Sequence, residues 1–283
     1  MSLRTPRWYD EQYNNRARIP GHPVILKYWA DASAAALLRH PELVELAYGS
    51  APREKLDVFP ARSPGAPVFV YLHGGYWRAL DKRDHSFVAP PLVDAGAMVV
   101  LPDYSLCPQV TVEHIVLQTV RALAWVHRHA HEYGGDPRRI VVAGHSAGGH
   151  LATMMLLCRW PEVHPSLPAD LVKAALSISG IYELEPLRHA PFLAADLGLT
   201  AASALRASPA WMPAPSGRLA VVVGGEESEE FHRQAELIRA NWGEKVVASE
   251  IAAGRNHMDV LHELASPGSN THQLALDLLE IRR

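Results

Sequence analysis

Short apolar runs alternate with segments of helical periodicity along most of the chain. The runs are near-continuous rather than alternating with polar residues, which is typical of strands buried on both faces of a parallel sheet. They are Val68–Leu72, Ala97–Leu101, Ile140–Ala143, Ala174–Ile178, Leu219–Val223 and Val246–Ile251. Leu56–Pro60 is a candidate for an earlier strand at the edge of the sheet.

Longer amphipathic segments separate these runs. Helical spacing is clearest over 111–133, and similar patterns cover 229–242 and 271–281. Alternation of strands and helices favours βαβ units with right-handed crossovers. The pattern therefore predicts an α/β fold with a mostly parallel central sheet, helices on both faces, and one domain over residues 1–283.

Two segments do not follow the alternating pattern. Residues 1–50 are rich in aromatic, Arg and Asn residues and contain an Ala-rich helix candidate, Tyr28–Leu38. Residues 181–217 are rich in proline and contain no clear strand. Surface decoration is one interpretation of these segments. Because covering loops often carry function, we expect instead that both segments cover the active-site face of the sheet.

Composition and charge narrow the class of protein. The 283 residues are 48% hydrophobic and 20% charged, which excludes disordered and fibrous classes. A net charge of −3 offers no basic field for nucleic acid or an anionic membrane. The first 30 residues contain no signal-peptide core, and no apolar run reaches the ~18 residues of a membrane span. We expect a cytoplasmic protein without a membrane segment.

The sharpest motif is Gly144-His145-Ser146-Ala147-Gly148, between the Ile140–Ala143 run and a helical segment. G-x-S-x-G between a strand and a helix is typical of the nucleophile elbow of serine hydrolases. Its glycines allow a sharp turn that exposes the serine hydroxyl at a helix N-terminus. The alternative is a Gly-rich turn in which Ser146 only caps the helix.

A second motif, His73-Gly74-Gly75-Tyr76-Trp77, follows the Val68–Leu72 run directly. It is similar to the HGG-type loop whose backbone N–H groups form the oxyanion hole of esterases. The sequence predicts donors from this loop, at Gly74, Gly75 or Tyr76, together with the N–H group of Ala147. A plain turn is the alternative.

A serine nucleophile requires a histidine base and an orienting acid, in the chain order Ser, acid, His. The acid is expected after the Leu219–Val223 run, where the chain offers Glu226, Glu227, Glu229 and Glu230. Spacing alone does not choose among these four. The base is expected after the last strand, where His257 fits and His262 is the competitor.

Other reactive side chains have simpler interpretations. His127, His129 and His131 fit a solvated helix face better than a metal site, since His129 does not share the face of the other two. Cys107 and Cys158 are expected to be packed thiols, too few for a disulfide framework. The sequence predicts no metal and no cofactor.

These residues together resemble the α/β-hydrolase-type arylformamidases, also called kynurenine formamidases. The likeness lies in HGGYW at 73–77, GHSAGG at 144–149, the Glu-rich loop, and NHMD at 256–259. The segments Tyr9–Arg16 and Pro102–Pro108 also resemble bacterial members. The register of the family places the acid at Glu227, where the family commonly has Asp.

The resemblance implies an α/β-hydrolase fold with the catalytic residues Ser146, Glu227 and His257. It implies a serine hydrolase that converts N-formyl-L-kynurenine to kynurenine and formate, with a small-molecule substrate as its partner; a homodimer is left open. A carboxylesterase or another amidase is the alternative, and a hydrolase-fold binding protein is the outsider. Aromatic residues that offer faces to a substrate ring are Tyr76, Trp77, Tyr182, Phe192 and Trp211.

Overall fold

An eight-stranded sheet forms the centre of the protein in the computed structural model, which describes residues 4–281. The sheet order is β1-β2-β4-β3-β5-β6-β7-β8. The first two strands run antiparallel to their neighbours, and all other pairs are parallel. The strands are β1 Val44–Ala47, β2 Lys55–Phe59, β3 Ala66–Leu72, β4 Met98–Pro102, β5 Gly135–His145, β6 Val172–Ile178, β7 Arg218–Gly224 and β8 Val246–Ala252.

Twelve α-helices among the described residues cover the sheet and its ends. They are α1 Pro6–Tyr13, α2 Asn15–Arg18, α3 His22–Arg39, α4 Ala89–Asp94, α5 Val112–His129, α6 Ala147–Leu156, α7 Trp160–Val163, α8 Pro191–Leu197, α9 Ala201–Arg206, α10 Glu229–Trp242, α11 Leu261–Leu264 and α12 Asn270–Leu278. Two separate clusters of buried apolar side chains pack against the strands. The predicted α/β class, with a mostly parallel sheet, is therefore confirmed.

Each of the six apolar runs of the sequence overlaps a strand, with only Ala97 outside, but the edges of the sheet differ from the expectation. Leu56–Pro60 overlaps β2, which is the second strand and not the edge strand, because β1 pairs outside it. At the other edge, the residues of β8 are alternately exposed and half-buried, so this strand is not buried on both faces. Within residues 4–281, no helix combines the length and apolarity needed to cross a bilayer.

The two segments that break the strand–helix pattern lie near each other. Residues 181–217 contain α8, α9 and short 3₁₀ turns and no strand, whereas the N-terminal segment contributes α1–α3 and also the unexpected β1. The N-terminal segment is fixed at Tyr13, whose hydroxyl donates to Glu230 Oε2 at 2.7 Å. The Phe192 N–H group donates to Asp10 Oδ1 at 3.1 Å and thereby links α8 to α1.

The parallel strands end at nearly the same level, and this sets the position of the site. Leu72 at the end of β3 pairs with Gly144 of β5, and Gly144 pairs with Ser177 of β6. Helix α6 then leaves β5 so closely that a Cβ on Gly148 would overlap the Leu72 carbonyl oxygen. The chain can make this turn only without a side chain at residue 148.

We predict that Gly148→Ala lowers the free energy of unfolding by at least about 2 kcal/mol. The added methyl group would have to displace backbone, and forced overpacking of this kind typically costs 1–3 kcal/mol or more. Gly21→Ala is the control, because no atom lies within 4 Å of its added Cβ and its φ is −78°. Urea denaturation of both variants measures the difference. A Gly148→Ala protein as stable as the control would contradict the close approach.

Candidate active site

Ser146 stands at the sharp turn between β5 and α6. Its φ of 57° and ψ of −117° lie outside the regions that non-glycine residues ordinarily adopt. Its N–H group donates to the Ile178 carbonyl oxygen at 2.8 Å, which holds the turn against β6. The residue lines a cavity of about 140 Å³ together with His257. No hydrogen bond joins the Ser146 hydroxyl to another described residue.

His257 and Glu227 form a buried hydrogen-bonded pair. His257 Nδ1 lies 2.6 Å from Glu227 Oε2, and the Glu227 side chain is fully buried. The other carboxylate oxygen accepts hydrogen bonds from the Gly224 N–H group at 2.7 Å and from the Ser179 hydroxyl. The imidazole also packs on Phe231, with ring centroids 4.3 Å apart. These contacts fix the ring and leave Nε2 free of the carboxylate.

The other candidate acids are exposed or hydrogen-bonded elsewhere, and the competing base is hydrogen-bonded elsewhere. Glu226 and Glu229 are exposed. Glu230 accepts from the Tyr13 hydroxyl and pairs with Arg233. His262 Nε2 accepts from the Trp29 indole N–H group at 3.1 Å, in the start of α11. Of the acids left open by spacing, only Glu227 contacts the His257 ring.

The loop after β3 lies next to Ser146, since a Cβ on Gly74 would be 3.4 Å from Ser146 Cβ. Gly75 and Tyr76 line the cavity, and their N–H groups have no acceptor among the described residues. The N–H group of Ala147, the first residue of α6, has no intrahelical partner either. Gly74 is not part of the cavity wall; it packs against the His145 carbonyl group, where a Cβ would meet the oxygen at 2.8 Å. The loop thus presents two free donors near the serine.

A buried polar network fixes the position of this loop. None of its contacts was predicted from the sequence. His73 Nε2 lies 3.0 Å from Asp103 Oδ1, and Arg53 donates to the same oxygen at 2.7 Å. The Tyr104 ring stacks on the His73 ring at 4.1 Å, and its hydroxyl donates to the His73 carbonyl oxygen. Asp103 directly follows β4, at the same end of the sheet as Ser146. Its position after a buried strand is the sequence feature that could have marked it as a residue of the site.

His145, beside the serine, is a neutral histidine. Complete burial lowers the pKa of His145 well below its usual value, and the nearby His257 ring lowers it further. Its Nε2 lies 2.7 Å from the His257 carbonyl oxygen, so this nitrogen carries the proton. The hydrogen bond ties the elbow directly to the loop that carries His257.

The cavity wall differs in part from the predicted aromatic set. Tyr76 and Phe192 line the cavity, with ring centroids 5.8 Å apart, and Trp29 of α3 joins them. Trp77 and Tyr182 do not: both are fully buried in the core and absent from the wall. Trp211 is also absent from the wall and is half-exposed on a 3₁₀ turn. Nothing in the sequence distinguished Trp29 from other core aromatics.

The backbone conformation of the loop directs the Trp77 ring away from the cavity. Tyr76 and Trp77 both have positive φ angles, 50° and 55°, so the loop turns sharply between them. The Trp77 ring then packs edge-on against His150 of α6, with centroids 5.0 Å apart. The same turn aims Tyr76 toward the N-terminal segment, where its hydroxyl donates to the Tyr13 carbonyl oxygen at 2.6 Å.

Comparison with known proteins gives relatives for most of the chain. A family model described as the α/β-hydrolase fold matches residues 69–218, a region that contains Ser146 but neither Glu227 nor His257. A kynurenine formamidase of Danio rerio is 36% identical over 69% of this chain and 66% of its own length. A kynurenine formamidase of Salmo salar is 31% identical over 84% of this chain and 82% of its own length.

Esterases are also among the similar proteins. The esterase LipQ of Mycobacterium tuberculosis is 34% identical over 50% of this chain and 35% of its own length. A crystal structure from Silicibacter sp., provisionally named a thioesterase, superposes with a TM-score of 0.83 at 31% identity, covering 96% of this chain and 97% of that one. An esterase of Pyrobaculum calidifontis, at 20% identity and a TM-score of 0.69 over 91% of this chain and 93% of that one, is similar in fold.

We predict that thiol alkylation leaves the activity of the protein unchanged. Burial raises the pKa of Cys107 and of Cys158 to about 11, so less than about 0.1% of either thiol is ionised at pH 7.5. Neither cysteine lines the cavity. Activity is measured before and after iodoacetamide treatment, with mass spectrometry as the control for modification. Inactivation that parallels alkylation of either cysteine would contradict this prediction.

Proposed function

The chain belongs to the α/β-hydrolase family and is a hydrolase, and from this premise we propose that it cleaves the formamide bond of N-formyl-L-kynurenine, releasing formate and kynurenine. The observation that carries the proposal is the His257–Glu227 pair beside Ser146 in one cavity. The identity to two fish kynurenine formamidases supports the choice of substrate.

In this mechanism Ser146 is the nucleophile. His257 Nε2 takes the hydroxyl proton while Oγ attacks the formyl carbon, and Glu227 stabilises the imidazolium that forms. The N–H groups of Ala147 and of Gly75 or Tyr76 stabilise the tetrahedral oxyanion. Such donors contribute about 3 kcal/mol each to transition-state stabilisation.

The second half of the reaction returns the proton. His257 donates it to the aniline nitrogen as the C–N bond breaks, so the aryl amine leaves neutral and a formyl–Ser146 ester remains. Water, deprotonated by the same imidazole, then attacks the ester carbon. The bond between this carbon and Ser146 Oγ breaks, His257 returns its proton to Oγ, and formic acid leaves and ionises to formate. Three aromatic side chains of the cavity wall, Trp29, Tyr76 and Phe192, offer faces to the aryl group.

A carboxylesterase is the second candidate function. The similarity to the mycobacterial esterase, which is 34% identical over 50% of this chain, favours it. The same nucleophile, base and oxyanion donors serve both reactions, since ester and amide hydrolysis differ mainly in the leaving group. Protonation of the leaving atom matters more for an aniline than for a phenol or an alcohol.

The deciding experiment is a substrate panel on the purified protein. We expect kcat/KM for N-formyl-L-kynurenine to exceed the values for p-nitrophenyl acetate and butyrate by at least about tenfold. Higher values for the esters would favour the carboxylesterase. A fluorophosphonate probe should label the native protein and fail to label Ser146→Ala; absence of labelling in the native protein would indicate a binding protein without turnover.

We further predict that Glu227→Gln loses up to about 10⁴-fold in kcat, whereas Glu226→Gln stays within about twofold of the native enzyme. Removing the acid destabilises the imidazolium and the required tautomer of His257. Glu226 is the matched control because it is the adjacent residue and its exposed carboxylate contributes little. Equal losses in the two variants, or a larger loss in Glu226→Gln, would show that the acid is misassigned.

A further inference from the structure

The two arginines of the cavity wall differ in their partners. The wall contains Arg16 and Arg78 and no Asp or Glu residue. The charge of Arg78 is balanced, because its guanidinium pairs with Asp196 and also donates to the Phe192 carbonyl oxygen. Arg16 makes no ion pair and no hydrogen bond within residues 4–281. Arg16 is therefore an arginine of the cavity wall that has no acidic partner among the described residues.

The absence of a partner distinguishes Arg16 from its neighbours on the N-terminal segment. Arg7 pairs with Glu11 at 2.7 Å, and Arg18 donates to the Glu11 carbonyl oxygen at 2.9 Å. Arg16 is exposed on α2, the short helix that forms the rim of the cavity. Its guanidinium is therefore available to a ligand without first breaking an internal contact.

A second donor lies beside the arginine. Asn14 also lines the cavity, and its Oδ1 accepts from the Ala17 N–H group at 3.2 Å. This hydrogen bond orients the side-chain amide and leaves Nδ2 without an acceptor among the described residues. A guanidinium and an amide N–H group together suit a carboxylate, which accepts several hydrogen bonds and pairs with arginine in a fork-like geometry.

The rim itself is held in place. The Tyr76 hydroxyl donates to the Tyr13 carbonyl oxygen, and Asn15 Nδ2 donates to the Tyr76 hydroxyl at 3.4 Å. Tyr76 also belongs to the loop that faces Ser146. The distance from the rim to the nucleophile is therefore set by a continuous chain of contacts, as a subsite for a distant substrate group requires.

We propose that Arg16, assisted by Asn14, forms a subsite for a carboxylate on the leaving-group portion of the substrate. The inference rests on the proposed function. The acyl part of that substrate is a formyl group, which carries no carboxylate, so the anion must belong to the amine product. The substrate class is an N-formyl aryl amide that carries a carboxylate away from the bond that is cleaved. Arg16 is a binding residue and takes no part in the chemical steps.

The test compares matched substrates that differ in the anionic portion. N-formyl-L-kynurenine is paired with 2-formamidoacetophenone, which keeps the formanilide and lacks the amino-acid group. We expect Arg16→Gln to raise KM for the first substrate by about tenfold or more and to leave kcat and the KM of the second within twofold. Arg7→Gln is the control, since Arg7 is exposed and does not line the cavity.

A pair of esters separates this inference from the proposed function. 4-Acetoxybenzoate carries a carboxylate on the leaving group, and phenyl acetate does not. If neither formanilide is hydrolysed, the proposed function fails; an Arg16-dependent KM for 4-acetoxybenzoate alone would still support the subsite. The subsite is wrong if Arg16→Gln changes KM equally for the two substrates of a hydrolysed pair, or changes KM for neither.

Discussion

The backbone conformation of Ser146 is the constraint on which the rest of the site depends. A residue with φ near 57° and ψ near −117° costs of order 1–3 kcal/mol, so the surrounding contacts must hold it. Gly144 and Gly148 allow those contacts, because a Cβ on either would overlap neighbouring backbone. The close approach fixes the start of α6 against the end of β3. Ser146 and the loop that follows β3 are thereby brought to the same edge of the sheet.

The site is completed by segments that are distant in sequence and joined by polar contacts. Tyr13 of the N-terminal segment contacts two others: its hydroxyl donates to Glu230 in α10, and its carbonyl oxygen accepts from Tyr76 in the loop after β3. Burial raises the pKa of the Tyr13 phenol well above its usual value, and Glu230 raises it further, so the hydroxyl remains a donor. The N-terminal segment is therefore part of the cavity wall and of the support for the loop.

Sequence patterns predicted the secondary-structure elements that are recognisable by their burial. They did not predict the features that depend on contacts between distant parts of the chain. The buried strands and the two motifs at 73–77 and 144–148 were identifiable because each has a strong local signal. Strand β1 was not, since its four residues are partly exposed and gain order only by pairing with β2. Spacing alone did not distinguish among the four candidate glutamates. The contact between Glu227 and His257 became visible only in the folded structure. The aromatic wall was predicted in part, because local sequence does not reveal that the turn at Trp77 directs its ring into the core.

The neutral state of His145 is a further requirement of the proposed chemistry. Its ring lies 4.8 Å from the His257 ring, so a positive charge on His145 would oppose the imidazolium that His257 must become during the reaction. Burial removes that conflict by lowering the pKa of His145 well below its usual range. Because the Nε2 proton is then directed at the His257 carbonyl oxygen, the same histidine also fixes the backbone that carries the base. An apolar residue at this position would avoid the charge but lose the hydrogen bond, whereas a lysine or arginine would retain a charge beside the base. A buried, neutral histidine meets both requirements.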